Sequence, residues 1–288
     1  MNLLRITDLG AEGARHILRR TAELAAGASP RSLGGAVLLA FFEQSTRTRL
    51  GFARAAIDVG AVPVDLDALR FGARTSAAES LADTLAVASA YYEVIVLRHP
   101  EAPAAIPPGD AAIVNAGLGA EEHPTQALID LAAVDAEFGA IEGLRWGIVG
   151  DLAGSRSAHS LLRALPWFEP AEVRLMAPPG RGAGDDVVAR LRAHEAGPGD
   201  VDGLDVLYVA GLPPGQGAFA LDEAGRRPWR VDQATLDRLS ARARVLCPLP
   251  RIDEIDPAID SDPRCAWLRQ SARGRFVRTA VLEACWAG

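Results

Sequence analysis

The residue types best suited to chemistry cluster in Phe41-Phe-Glu-Gln-Ser-Thr-Arg-Thr-Arg-Leu50. An apolar run ends there, and small hydroxyl residues open a helix-like segment. The first backbone N–H groups of a helix have no intrahelical acceptor, and the helix dipole favours an anion at that end. Ser45, Thr46 and Thr48 add hydroxyl donors, and Arg47 adds a planar fork suited to a phosphate. The blander reading of Ser-Thr-Arg-Thr is a helix cap with solvated arginines. The apolar run directly before it weighs against that reading. Other candidates carry less. Gly147, Gly150 and Gly154 follow a strand-like run, but their spacing is not the G-x-G-x-x-G of a dinucleotide site. His16, His99, His159 and His194 show no metal-ligand spacing, and Cys247, Cys265 and Cys285 lack the paired close spacings of a zinc site. No metal and no cofactor are therefore expected.

The elements that must position these residues alternate. Gly35 to Phe42 is short, apolar and bounded by turns, as a buried parallel strand should be. Helical segments are expected over Ala11 to Ala26, Ser45 to Gly60, His123 to Phe138 and Arg278 to Trp286, with Pro124 in a first turn where a missing N–H matters little. Further strands are expected at Val94 to Leu97, Ala112 to Asn115, Gly143 to Gly150, Glu172 to Met176, Leu204 to Val209 and Ala243 to Cys247. Pro178 to Asp200 is rich in Pro, Gly and Asp, and Gly211 to Arg230 resembles a long surface loop. Repeated β-then-α alternation gives an α/β class: two doubly wound parallel-sheet domains with a closing C-terminal helix. One domain is expected over 1–133 plus the helix 277–288, the other over 134–276, with hinges near 133–143 and 270–276.

Length and composition agree. A chain of 288 residues exceeds the usual single-domain size, and 49% hydrophobic with 23% charged residues is ordinary for a globular enzyme. The formal charge of −7 argues against a nucleic-acid binder. No apolar run approaches a membrane span, the first residues lack a signal-peptide core, and the cysteine usage fits a reducing compartment, so the expectation is a cytoplasmic protein. All 30 basic residues are arginine. A coding bias is the bland explanation, yet it rules out a lysine Schiff base or lysine general base and leaves any anion clamp to guanidinium groups.

Ser45-Thr-Arg-Thr-Arg49 resembles the carbamoyl phosphate signature shared by aspartate and ornithine carbamoyltransferases. Leu97-Arg-His-Pro100, Asn115-Ala-Gly117, His123-Pro-Thr-Gln126, Gly150-Asp-Leu-Ala-Gly-Ser-Arg156 and Pro248-Leu-Pro-Arg-Ile-Asp-Glu-Ile255 match the same family in the right order. The likeness runs from about Leu4 to Trp286, and the proline-flanked motifs favour the aspartate branch. The resemblance implies roles. Ser45, Thr46, Arg47 and Thr48 would cradle the phosphate, with Arg98 as a second charge. Thr48, Arg98 and His123 would donate to the carbonyl oxygen as the acceptor amine attacks; removing one such donor typically costs about 2.7–4 kcal/mol of transition-state stabilisation. Alone, His123 reads more readily as a helix-terminal histidine; within this set the catalytic role takes precedence. Gln126 and the carbonyls of Leu249 and Pro250 would receive the carbamoyl N–H₂. Arg156, with Leu249, would hold the acceptor. The departing phosphate can accept the amine proton, so no separate protein base is required.

Three departures from the family pattern bear on the acceptor. Ala77 stands where the family carries a lysine reaching into a neighbouring subunit, and neither Arg70 nor Arg74 occupies that position. After Val206-Leu-Tyr-Val209 the family reads Thr-Arg-x-Gln; here the sequence is Ala210-Gly-Leu-Pro213, so the arginine that grips the aspartate side-chain carboxylate is replaced by Gly211 and the glutamine by Pro213. A charged hydrogen bond is worth about 1.5–3 kcal/mol, so losing that arginine alone should weaken aspartate by roughly 10- to 150-fold. Cys247 replaces a histidine and reads as a packing change rather than a nucleophile. The expectation is thus a carbamoyltransferase whose acceptor is a small amino acid other than aspartate. Two alternatives stay open: an aspartate carbamoyltransferase of pyrimidine synthesis, with Arg226, Arg227 or Arg230 closing the pocket, and a non-catalytic scaffold of the same fold. The resemblance further implies a homotrimer and leaves a regulatory chain undetermined.

Overall fold

The computed structural model describes residues 1–66, 80–101, 109–213 and 220–286. Two compact units emerge, one formed by Met1–Leu128 with Arg273–Gly288, the other by Ile129–Ala272.

The first unit is built on a four-stranded parallel sheet, β1 (Ala36–Phe41), β2 (Val62–Asp65), β3 (Val94–His99) and β4 (Ala112–Leu118), in the order β2-β1-β3-β4. β1 is apolar along its length and β3 over its first four residues, as suits a parallel sheet covered on both faces, and every residue of β4 is buried. Helix α1 (Gly10–Ala25) turns Ala14, Ile17, Leu18, Thr21 and Leu24 inward, a spacing that gives one apolar stripe. Helix α2 (Thr46–Asp58) follows β1, and α3 (Leu81–Ala88) precedes β3. Leu38, Leu85, Ile95, Leu97 and Ile113 pack in one core cluster. Each such side chain contributes about 1.5–3 kcal/mol relative to exposure.

Helix α4 (Pro124–Phe138) leads into the second unit, whose sheet is also parallel: β5 (Arg145–Val149), β6 (Glu172–Met176), β7 (His194–Glu195), β8 (Val206–Val209) and β9 (Arg244–Leu246), in the order β7-β6-β5-β8-β9. Helices α5 (Arg156–Ala164), α6 (Asp185–Leu191), α7 (Glu223–Arg226) and α8 (Gln233–Arg238) connect these strands, and α9 (Trp267–Cys285) closes the chain.

The architecture is the α/β pair of parallel sheets that alternation implied. Local detail differs in three places. The closing helix begins at Trp267, not near Arg278, and runs unbroken through 270–276. Pro178 to Asp200 contains α6 and the edge strand β7. The segment expected as a surface loop from Gly211 carries α7, stabilised by Asp222, whose side chain accepts the Gly225 N–H at its start.

Candidate active site

In the first unit the residues singled out for chemistry converge on the carboxyl ends of parallel strands, where open α/β sheets bind ligands. β1 delivers the chain to Ser45, the N-cap of α2. The Ser45 hydroxyl makes no capping hydrogen bond, and helical bonding begins with the Arg49 N–H on the Ser45 carbonyl at 3.2 Å. The N–H groups of Thr46, Arg47 and Thr48 meet no acceptor among the described residues, with Thr48 buried and Arg47 exposed. This is a helix mouth with hydroxyls and a guanidinium around it.

Arg98 stands beside that mouth because β1 and β3 are in register at Phe41 and Arg98, and the Phe42 N–H donates to the Arg98 carbonyl at 2.8 Å. Its Nη1 donates to the Ala116 carbonyl at 3.2 Å, and its Nε lies 3.3 Å from the Glu43 carboxylate. The guanidinium is therefore held by the two neighbouring strand ends.

His123 follows β4, and its position is set by Asn115 and Glu122. The Asn115 amide, buried in β4, donates to the Leu4 carbonyl at 2.7 Å and the Glu122 carbonyl at 3.4 Å. Its Oδ1 accepts the N–H groups of Gly117 at 2.7 Å and Leu118 at 2.8 Å. Glu122 in turn accepts the Ile6 N–H at 2.8 Å. The amino-terminal segment, the end of β4 and the turn before α4 are thereby tied into one unit. His123 is buried, with Nδ1 3.4 Å from the Thr125 hydroxyl, and Gln126 is half-buried in the first turn of α4.

In the second unit, Arg156 and the Leu249–Pro250 pair sit at the carboxyl edge of the other sheet. Ser155 caps α5 by accepting the Ala158 N–H at 3.3 Å, which places Arg156 in the first turn. The preceding loop is braced by Asp151, which accepts the Gly154 N–H at 2.8 Å and both arms of Arg181, at 2.8 and 2.7 Å. Gly150 is obligatory here. It has φ +125°, and a Cβ on it would lie 2.0 Å from the Gly211 carbonyl oxygen, which accepts the Asp151 N–H at 2.8 Å. Leu249 has φ +52°, a left-handed conformation uncommon for a leucine and most frequent at functional sites. Its N–H points at the Cys247 sulfur at 3.4 Å, while the Cys247 N–H donates to Gln270 at 2.9 Å. Burial pushes the Cys247 thiol up to about 12, so it is a packing group rather than a nucleophile.

Two of the three arginines considered as replacements for an acceptor arginine, Arg226 and Arg230, are already engaged. Arg226 is buried; it donates to the Pro213 carbonyl and forms a two-armed pair with Asp253, whose carboxyl falls to about 2 chiefly through Arg226 and secondarily through Arg230. Arg230 lies 2.7 Å from Asp253 and also pairs with Glu223. Arg227 is exposed. Gly211 has φ +90°, a conformation that favours glycine over residues bearing a side chain. Arg70, Arg74 and Ala77 lie outside the described residues.

Asn115 appeared in the sequence only as part of a motif, and Glu122 was not singled out at all. Arg181 carried no spacing signal, and Glu43 and Arg278 stood only within longer segments; tertiary contacts bring these side chains forward.

Known proteins resemble this chain along most of its length. Residues 1–136 match the family model described as aspartate/ornithine carbamoyltransferase, carbamoyl-P binding domain, and residues 142–285 match the aspartate/ornithine carbamoyltransferase, Asp/Orn binding domain. The aspartate carbamoyltransferase catalytic subunit of Hyperthermus butylicus is 38% identical over 275 residues, covering 89% of this chain and 85% of the relative. The catalytic subunit of M. jannaschii aspartate transcarbamoylase superposes with a TM-score of 0.84 at 32% identity, covering 99% of this chain and 97% of that one. Aspartate transcarbamoylase from Trypanosoma cruzi, in complex with carbamoyl phosphate and aspartate, gives 0.85 at 30% identity, covering 99% and 95%.

Proposed function

The chain belongs to the aspartate/ornithine carbamoyltransferase family, and from that premise we propose that it moves the carbamoyl group of carbamoyl phosphate onto the amino group of a small amino acid. The observation that carries this reading is the uncapped mouth of α2, with Arg98 beside it and the buried His123 on the same edge of the sheet. A dianionic phosphate at Ser45, Thr46, Arg47 and Thr48 would satisfy the open N–H groups and the dipole together. Thr48, Arg98 and His123 are donors suited to the carbonyl oxygen, which gains charge as the amine attacks carbon. The bond from that carbon to the phosphate oxygen then breaks, and the phosphate leaves with the amine proton. Gln126 is the first unit's acceptor for the carbamoyl N–H₂. Arg156, Leu249 and Pro250 are assigned the roles the resemblance implies for them.

Aspartate is the acceptor supported by the relatives, which are aspartate carbamoyltransferases, one of them in complex with aspartate itself. The expectation of another acceptor becomes the second reading. A specific observation favours it: Gly211 and Pro213 offer no side-chain donor, and Arg226 and Arg230 are turned onto Asp253.

Labelled carbamoyl phosphate and a panel of amino acids, followed by phosphate release and ureido product, separate the readings. Efficient turnover of aspartate supports the first, and turnover confined to another amino acid supports the second. Binding of carbamoyl phosphate with no turnover on any amine would overturn both in favour of a scaffold. The resemblance also supports a homotrimer, which sedimentation velocity tests: a monomer at micromolar concentration would refute it.

A further inference from the structure

Arg278 lies on α9 within the first unit and is 5% exposed. A buried guanidinium is normally paired with a carboxylate, because desolvating a lone charge is expensive. Among the described residues this one has no such partner, and its Nε meets no hydrogen-bond acceptor. Its head rests against α2. The guanidinium lies 5.6 Å from the Phe52 ring centroid, and a Cβ added to Gly51 would come within 2.4 Å of Nη1. Gly51 is four residues beyond Arg47, one turn along the same helix face. The charged group facing Arg278 is Arg47, another cation, and Arg47 likewise has no carboxylate partner among the described residues. Burial and, secondarily, Arg47 pull the Arg278 value down to about 10, which still leaves it charged at neutral pH.

We propose that Arg278 is a positioning residue for phosphate: a buried cation behind Arg47, without a carboxylate partner among the described residues, that directs the Arg47 guanidinium to the helix mouth and raises the positive potential there. The inference rests on reading that mouth as the phosphate site. Two like charges held together without a counter-ion destabilise the unliganded protein, and a dianion at the mouth relieves both. Gly51 is what admits the second guanidinium against the helix. The arrangement is electrostatic preorganisation: the unfavourable contact is built during folding, so the ligand meets donors already in place.

A purely structural arginine and a positioning arginine predict opposite signs. Wild type, Arg278→Met, Arg278→Lys and Arg47→Ala, each as the full chain, would be titrated calorimetrically with inorganic phosphate and melted without ligand. A fixed charge acts on a dianion with little screening inside a Debye length of about 8 Å, so Arg278→Met is expected to bind phosphate at least about fivefold more weakly. Its ligand-free melting temperature should be unchanged or raised, because an unpaired buried charge has been removed. Arg278→Lys should recover most of the affinity. Wild-type affinity in Arg278→Met, or weakened binding with a lower melting temperature that lysine does not rescue, overturns the proposal. Should Arg278→Met fail to fold, Gly51→Ala serves: it keeps every charge but displaces the guanidinium, and wild-type affinity in it also refutes the idea. If wild type binds no phosphate, the reading of the mouth fails. If Arg47→Ala abolishes binding and Arg278→Met does not, only the role of Arg278 falls.

Discussion

Asn115→Ala tests how the site is held together. The amide is 3% exposed and makes four hydrogen bonds, all to backbone. Truncation removes the acceptor of the Gly117 and Leu118 N–H groups at the buried end of β4, and the donor to the Leu4 and Glu122 carbonyls. The Leu4 carbonyl lies in a half-buried residue and can turn to water, whereas the Leu118 N–H cannot. One stranded buried donor costs about 1–3 kcal/mol. With the weakened Gly117 contact and a small cavity, the sum is about 2–5 kcal/mol. At roughly 2–4 °C per kcal/mol for a protein of this size, the melting transition of the first unit should fall by about 4–20 °C. Because the same amide fixes the turn carrying His123, kcat should fall on the order of 100-fold, the usual consequence of a misplacement near 1 Å. Scanning calorimetry and steady-state turnover below the transition measure the two effects separately. Asn115→Asp refines the test. It keeps both acceptors but points a carboxylate at two carbonyls, which raises its folded-state value. Its stability should therefore be best at low pH and decline as pH rises through that value. An Asn115→Ala protein within about 0.5 kcal/mol of wild type, with full turnover, would refute this account of how His123 is positioned.

Other expectations are narrower. Burial raises Cys247, Cys265 and Cys285 to about 12, 11 and 12, so at pH 8 a thiol-specific chromogenic reagent should leave the native protein unlabelled and react with all three only after denaturation. Rapid stoichiometric labelling of native Cys247 would contradict its role as packing. Asp253 is depressed from 3.8 to about 2, first by Arg226, so its contribution to stability is present above about pH 4 and lost as pH falls through 2. Urea midpoints of the second unit should drop over that window and should flatten in Asp253→Asn; an identical acid limb in both proteins would show that the Arg226–Asp253 pair contributes nothing.

Much of the fold was legible because parallel strands buried on both faces must be apolar along their length. Glu172 to Met176 was bounded to the residue, and the central strands of the first sheet to within a few positions. Two of the edge strands, β2 and β7, were not legible. Val62–Asp65 and His194–Glu195 pair on one side only, mix polar with apolar residues, and carry no unbroken apolar signal. The start of α9 was missed because Trp267 to Arg273 has two adjacent apolar residues followed by mostly polar ones, without one clean apolar face.

The sequence by itself determined the alternating α/β class, the helix mouth and the set of donors around it, since hydroxyl and arginine spacing and apolar runs are local properties. Through the resemblance, it also gave the expectation that Gly211 and Pro213 stand at the positions of the family's arginine and glutamine. Only tertiary structure decided what the remaining charges do. Arg226 and Arg230 could have reached an acceptor, but they are committed to Asp253 by residues distant in sequence. Arg278 is an ordinary helical arginine until α9 folds against Gly51, because a charge acquires meaning from the partner it finds or lacks, and partners are chosen by packing.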